Sequence, residues 1–376
     1  MTGRPTIAEV SAAALTHNCR EAARLVGPAV RVIAVVKADG YGHGAAAAAR
    51  AFVRGGAALL GVSSLAEGLE LRRAGLAEPI VVLGGLYAGE AADAVAHDMA
   101  VALWTCEVAD ALAAAARAAG RRARVHLKID TGMTRLGVDA GDAAEFARTL
   151  AGTDGLEVAG LFSHLASADD VEQAAVQAQI ERFRTAVAAV RTAGVSPALV
   201  HLANSAAVLS APAAHFDAVR PGLMLYGYAP AAHLARHATL RPAMRLATRV
   251  TQVRRIPAGR AVGYGGTWVA KRPSVIATLP IGYADGYHRR ASNRAEVVVR
   301  GRRVPIAGRV CMDHVMIDVT DVPDAQAGDR VVLCGSAGGA AVFADELARW
   351  CETIAYEMLT AVARRVPRVH QEEFDG

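Results

Sequence analysis

Eight short apolar runs, separated by alanine-rich stretches, fill the first ~230 residues of the chain. They read VRVIAVVKA, ALLGVSS, PIVVLGG, MAVALWT, RVHLKID, VAGLFSHL, LVHLANS and VRPGLMLYG, with helical segments such as HGAAAAARAFVRGG between them. A strand covered on both faces is apolar throughout rather than at alternate positions, as these runs are. Eight strand–helix units predict a (β/α)8 barrel, a fold of ~250 residues. An open doubly wound sheet rarely needs eight evenly spaced parallel strands. From about Leu246 the pattern changes to strands and turns: TRVTQVRRI, SVIATLP, AEVVVRGRRVPIAG, HVMIDVT and GDRVVLCG. The expected fold class is therefore α/β, a (β/α)8 barrel over 8–239 followed by a mostly antiparallel β domain over 240–376. The opening residues 1–7 precede the first barrel unit and are expected to join the second domain.

Composition excludes several classes. Hydrophobic residues make up 53% and charged residues 20%, enough apolar matter for a large core and against disorder. No stretch approaches ~18 uncharged apolar residues, so no membrane-spanning helix is expected. The start, MTGRPTIAEVSAAALTHN, lacks a basic segment followed by an apolar one, so the expected location is cytoplasmic. The net charge of +5 is scattered over short clusters (VRGRRV, ARRVPRVH, YHRRASNR), which reads as solvated surface and not as a nucleic-acid stripe. Five widely spaced cysteines argue against a disulfide framework and against zinc. The nearest approach to a ligand pair is Cys311 and His314, and one pair does not hold a metal.

Of 41 basic residues, only Lys37, Lys128 and Lys271 are lysines. Where a plain cation suffices, this chain uses arginine. A retained lysine points to the chemistry of its amine, the only one of the two groups that readily loses its proton. Lys271, in the polar VAKRPS segment, reads as chance. Lys37 follows IAVV, at the end of the first barrel strand, where barrels carry their active groups. The following GYGHG lacks the spacing of a dinucleotide loop, and the next strand ends in Ser63-Ser64 rather than an acid. Other strand ends are polar too: Lys128, Asp130 and Arg135 after the fifth, His164 after the sixth, Asn204 and Ser205 after the seventh, Arg220 and Gly222 at the eighth. A phosphate site after strands 7 and 8 is common in barrels, and Ser205 with the amides near Gly222 suits it. Each residue alone is more often structural. Together with an amine on the same rim, they point to an aldehyde-bearing phosphate cofactor held as a Schiff base.

The segments VVKADGYGHG, KIDTGMTRLG, HLANS, VRPGLMLYG, VGYGGTW, IGYADGY, GRVCMDH and ETIAYEM…RRVPRV, in this order over essentially the whole chain, resemble the alanine racemase family. The resemblance implies a pyridoxal 5'-phosphate enzyme that interconverts L- and D-alanine and supplies D-alanine for cell-wall peptidoglycan. It implies that Lys37 binds the cofactor and is one racemisation base, and that Tyr264 is the base on the opposite face. Tyr41, Ser205, Gly222, Leu223 and Tyr356 correspond to phosphate-site positions, with Asn204 beside them. Arg220 corresponds to the pyridine-nitrogen partner, with His164 next to it. Arg135 and Met312 correspond to substrate-carboxylate contacts. Lys128 and Asp313 are supporting positions, Lys128 matching a lysine that is carboxylated in many members and orients that arginine. The same resemblance implies a head-to-tail homodimer in which Tyr264 and Met312 reach the other subunit's site. No metal, nucleic-acid or membrane partner is expected.

Three other readings compete. A barrel-type amino-acid decarboxylase shares architecture and cofactor, but usually sets an acid against the pyridine nitrogen and lacks the tyrosine base. A racemase for serine or for many amino acids remains open, because pocket width depends on side chains the sequence does not place. A non-catalytic pyridoxal-phosphate carrier is a lone barrel, and the ~135 residues beyond this barrel argue against it.

Overall fold

The computed structural model describes residues 3–374. It divides into two compact units: residues 15–40 with 45–241, and residues 1–14, 41–44 and 242–376, of which the described part belongs to the second unit. The first holds a closed barrel. Its strands are Arg31–Val35, Leu59–Val62, Ile80–Val82, Met99–Leu103, Ala123–Asp130, Leu156–Phe162, Leu199–His201 and Ala218–Val219. Each pairs parallel with the next, and Ala218–Val219 closes the ring on Arg31–Val35. Met99–Leu103, for example, is buried at every position, which explains why such runs are uniformly apolar. The helix Ala45–Arg54 buries Ala45, Ala48, Ala49, Ala51 and Phe52, a helical stripe whose small side chains let the helix lie close to its neighbours. Phe52 meets Tyr226 edge-on, and the Tyr226 hydroxyl donates to the Val35 carbonyl at 3.0 Å.

The eighth strand departs from expectation. VRPGLMLYG reads as one continuous strand, yet only Ala218–Val219 pairs. Pro221 has no N–H for a ladder, and Leu223–Tyr226 coils into a 3-10 turn instead.

In the second unit, Ile7–Ser11 lies between Met244–Arg249, to which it is antiparallel, and Arg368–Gln371, to which it is parallel. The sheet continues from Met244–Arg249 through Arg330–Ala337 and Glu296–Val299 to Arg302–Pro305. A separate antiparallel sheet joins Gln252–Ile256, Ser274–Leu279 and Val315–Asp318. Two carboxylates are buried here among arginines. Glu9 pairs with Arg245 at 2.6 Å and also with Arg330. Asp285, fully buried, takes both ends of the Arg4 guanidinium (2.5 and 2.8 Å), the Arg365 Nε–H (2.7 Å) and the Gly282 N–H (2.8 Å). Burial would raise the Asp285 carboxyl, but these donors outweigh it and hold the group below the ordinary carboxylate range.

Candidate active site

The barrel unit gathers most of the residues singled out from the sequence at the C-terminal ends of its strands. Arg220 follows the eighth strand and is 4% exposed. One terminal nitrogen donates to His201 Nδ1 (2.7 Å) and to the His201 carbonyl (2.9 Å). The other donates to the carbonyls of Ser163 (2.6 Å) and Leu202 (3.0 Å) and to His164 Nδ1 (3.3 Å). No carboxylate among the described residues bonds it. Burial lowers its pKa to about 9, so it stays protonated at neutral pH and can only donate. Its Nε–H has no acceptor among the described residues.

The donors fix the tautomers behind it. His201 Nδ1 accepts from Arg220, so its Nε2–H donates to His126 Nδ1 at 2.8 Å. Burial, with the Arg220 charge, pushes both imidazoles down, His126 to about 3, so both are neutral. His126 fits because its cross-strand partner is Gly160, where a Cβ would sit 2.5 Å from the ring. His201 stacks on Phe162, with ring planes 6° apart.

Lys128, on the fifth strand, is 5% exposed and lies over the face of Phe162 at 4.6 Å. Burial, with Arg220 and Arg135 nearby, lowers its amine to about 7. Arg135 projects from the loop that follows. Asp130 holds that loop by accepting the N–H groups of Gly132, Met133 and Thr134. Lys37 lies just beyond the first strand, and burial of its amine together with Arg135 lowers its pKa. Asn204 caps the short helix Ser205–Ser210, accepting from the Ala207 N–H at 3.1 Å. The buried Ser205 hydroxyl accepts from the amides of Gly222 (2.8 Å) and Met224 (3.3 Å), next to the buried Leu223. Its own hydrogen has no acceptor among the described residues and is free to donate.

Five further residues lie in the second unit. Tyr41 is buried against Tyr356, with ring centroids 6.1 Å apart, and burial pushes its phenol up. Tyr264 sits in a turn between Gly263 and Gly265, whose φ values of 74° and 71° suit only glycine. It is 69% exposed, and Met312 is 53% exposed. Asp313, beside Met312, takes the Arg365 guanidinium at 2.7 Å, so the Asp285 cluster also fixes that loop.

Some supporting residues gave no signal in the sequence. Gln179, buried on helix Ala174–Thr192, donates to Thr131 Oγ1 and to the His164 carbonyl and accepts the Ala166 N–H. It thus ties the loops after the fifth and sixth strands together. Nothing separates Gln179 in the sequence from the exposed Gln177 of the same helix. His126 and His201 sit inside apolar runs, where a histidine is usually a satisfied core residue. Glu67 forms a capping box with Ser64, a pattern that marks a helix start and nothing more.

Comparison with known proteins gives concordant matches over both units. The family model for the alanine racemase N-terminal domain matches residues 10–230, and that for the C-terminal domain matches residues 243–370. An alanine racemase of Symbiobacterium thermophilum is 46% identical over 367 residues, covering 98% of this chain and 97% of the relative. One of Desulfovibrio desulfuricans is 44% identical, covering 98% and 99%. The alanine racemase structure from D-cycloserine-producing Streptomyces lavendulae superposes with a TM-score of 0.93 at 38% identity, covering 100% of this chain and 99% of that one. The buried arginine held by imidazoles, the amine beyond the neighbouring strand of the barrel and the two-unit architecture thus occur in a chain that belongs to the alanine racemase family.

Proposed function

We propose that this enzyme interconverts L- and D-alanine with pyridoxal 5'-phosphate as cofactor and two bases, Lys37 and Tyr264. The observation that carries the reading is Arg220: a buried, protonated guanidinium that has, among the described residues, no carboxylate partner and no acceptor for one N–H. An unprotonated pyridine nitrogen, an acceptor only, suits that donor. The unused hydrogen of Ser205 likewise suits a phosphate oxygen, and the residues therefore fit the cofactor. We assign its phosphate to Ser205, Asn204, Gly222, Leu223, Tyr41 and Tyr356, and its ring nitrogen to Arg220, with His164 alongside.

When bound, pyridoxal phosphate would supply an electron sink that makes the hydrogen on the substrate's α-carbon acidic. This chain's residues do the rest. Lys37 holds the cofactor and takes or returns the α-proton from one face, helped by the lowering of its amine. Tyr264 does the same from the other. An ordinary phenol has a pKa of ~10, so ionising one at pH 7 costs roughly 4 kcal/mol, which nearby cations or a concerted transfer must offset. Because a guanidinium does not give up its proton, Arg220 leaves the pyridine nitrogen unprotonated. That moderates electron withdrawal and favours return of the proton to the same carbon over transamination. Arg135 and Met312 receive the substrate carboxylate, with Asp313 fixing the Met312 loop. A Lys128 amine lowered to about 7 is substantially neutral and nucleophilic at neutral pH. Addition of carbon dioxide to that neutral amine, with its displaced proton released to water, would make a carbamate anion that attracts the nearby Arg135.

We further propose a homodimer whose interface covers the exposed Tyr264, Met312, Tyr283 and Ile354 and brings Tyr264 and Met312 to the partner's site. Among the described residues no helix is long and apolar enough to cross a membrane. We assign the enzyme to the cytoplasm, supplying D-alanine for peptidoglycan. The test is chiral chromatography after incubating the holoenzyme with L-alanine, L-serine and L-lysine. Alanine should approach equal amounts of both enantiomers, and cofactor-stripped protein should be inert. Faster conversion of serine or lysine, or no D-alanine at all, would overturn the reading.

A further inference from the structure

The four residues after Lys37 turn the wrong way for L-amino acids. Ala38, Asp39, Gly40 and Tyr41 all have φ between 51° and 60°, and only Gly40 lacks a Cβ to resist it. Such a turn persists only where its surroundings hold it. The holding contacts come from two carboxylates and one carbonyl. Glu67 Oε1 accepts the Ala38 N–H at 2.8 Å, Asp39 Oδ1 accepts the Ala45 N–H at 2.9 Å, and the Val36 carbonyl accepts the Gly40 N–H at 2.9 Å.

Glu67 stands out because its other oxygen reaches a different barrel strand. Oε2 accepts the Ser63 N–H at 2.7 Å and the Ser64 N–H at 3.3 Å, at the end of Leu59–Val62. A helix cap accounts only for the Ser64 contact, which is the longest of the three. The two shorter bonds join the end of the second strand to the residue after Lys37. The Lys37 amine itself has no hydrogen bond among the described residues, so its backbone, not a partner at its tip, sets its direction. Glu67 is also the negative charge that works on that amine against the positive Arg135, and the neutral His164 lies within electrostatic reach.

We propose that Glu67 is a positioning residue for Lys37: its carboxylate clamps the left-handed turn to the neighbouring strand and thereby aims the lysine amine at the barrel mouth. The inference rests on the assignment of Lys37 as the cofactor-binding amine. Full-length wild type, Glu67→Ala, Glu67→Gln and Ser64→Ala are incubated with increasing pyridoxal phosphate, reduced with borohydride and peptide-mapped. Among side chains, only Lys37, Lys128 and Lys271 can carry the label. Glu67→Ala should need about tenfold or more cofactor to half-label Lys37, and should lose about 10- to 100-fold in kcat with a much smaller change in KM. Glu67→Gln keeps one acceptor oxygen and should fall between; it carries the test if Glu67→Ala does not fold. Ser64→Ala loses the same helix cap and should label as wild type does. Wild-type labelling of both Glu67 variants, or an equal loss in Ser64→Ala, would overturn the positioning role. A wild-type label on Lys128 or Lys271 would instead overturn the assignment of Lys37.

Discussion

The two units bury charge in opposite ways. The β unit sinks carboxylates and surrounds them with arginines, as at Glu9 and Asp285. The barrel sinks an arginine and gives it only carbonyls and neutral imidazoles. A buried pair is complete within the chain, and each member compensates the other's desolvation. A buried cation with no counter-charge and a spare donor is incomplete. The first arrangement holds a fold together. The second marks where something from outside the chain is expected.

The contrast can be tested from its largest consequence downward. Tyr264→Phe removes one of the two proposed bases from an exposed turn and should cost about 10²- to 10⁴-fold in kcat. Because the enantiomers are equal in energy, the loss in kcat/KM must be the same in both directions. Exchange of the α-hydrogen with deuterated water should survive for one enantiomer only; equal survival for both would break the two-base reading.

Next in size is Glu9→Ala, which removes the buried carboxylate that pairs with Arg245 and Arg330 and should cost about 3–5 kcal/mol in urea unfolding, with activity per folded molecule retained. Arg220→Met should do the reverse: activity collapses, while the stability of cofactor-free protein changes by less than the Glu9→Ala loss. If Arg220→Met proved the more destabilising of the two, the distinction between the units would fail.

Asp285→Asn should cost about 2 kcal/mol at neutral pH, since an amide cannot accept from Arg4, Arg365 and Gly282 together. The folded carboxyl lies below its unfolded value, so its contribution is present above the ordinary ~3.9 and disappears as pH falls through the folded value. Wild type and variant stability curves should therefore converge in acid. Smallest of all, Arg272→Ala breaks an ion pair with Asp321 in which both side chains are more than half exposed, and should leave the urea midpoint essentially where it is in wild type.

The barrel was legible because both faces of its strands are covered, so burial writes itself as unbroken apolar runs. The eighth strand was misread for the same reason: LMLY is buried, but as a 3-10 turn, and apolarity does not distinguish the two. Lys37 was visible against an arginine-rich background, and Arg220 through its place at a strand end. Their supports were not. Glu67 and Gln179 act through backbone groups far away in sequence, and a hydrogen bond to a main-chain N–H or carbonyl leaves no mark on the residue that supplies it. The left-handed turn at Ala38 and Asp39 was equally silent, because alanine is not a residue that favours that conformation and one aspartate beside it does not announce a turn.

The row from Arg220 through His201 to His126 has its hydrogens all pointing one way, outward from the guanidinium. A row so polarised can hand along one proton and must then rotate each ring before it can hand along another. Here the rings are wedged, one flat against Phe162 and the other against a residue that has no side chain to yield. It is therefore a strut rather than a wire: it keeps the guanidinium in one orientation through every turnover and lets no charge leak away behind it.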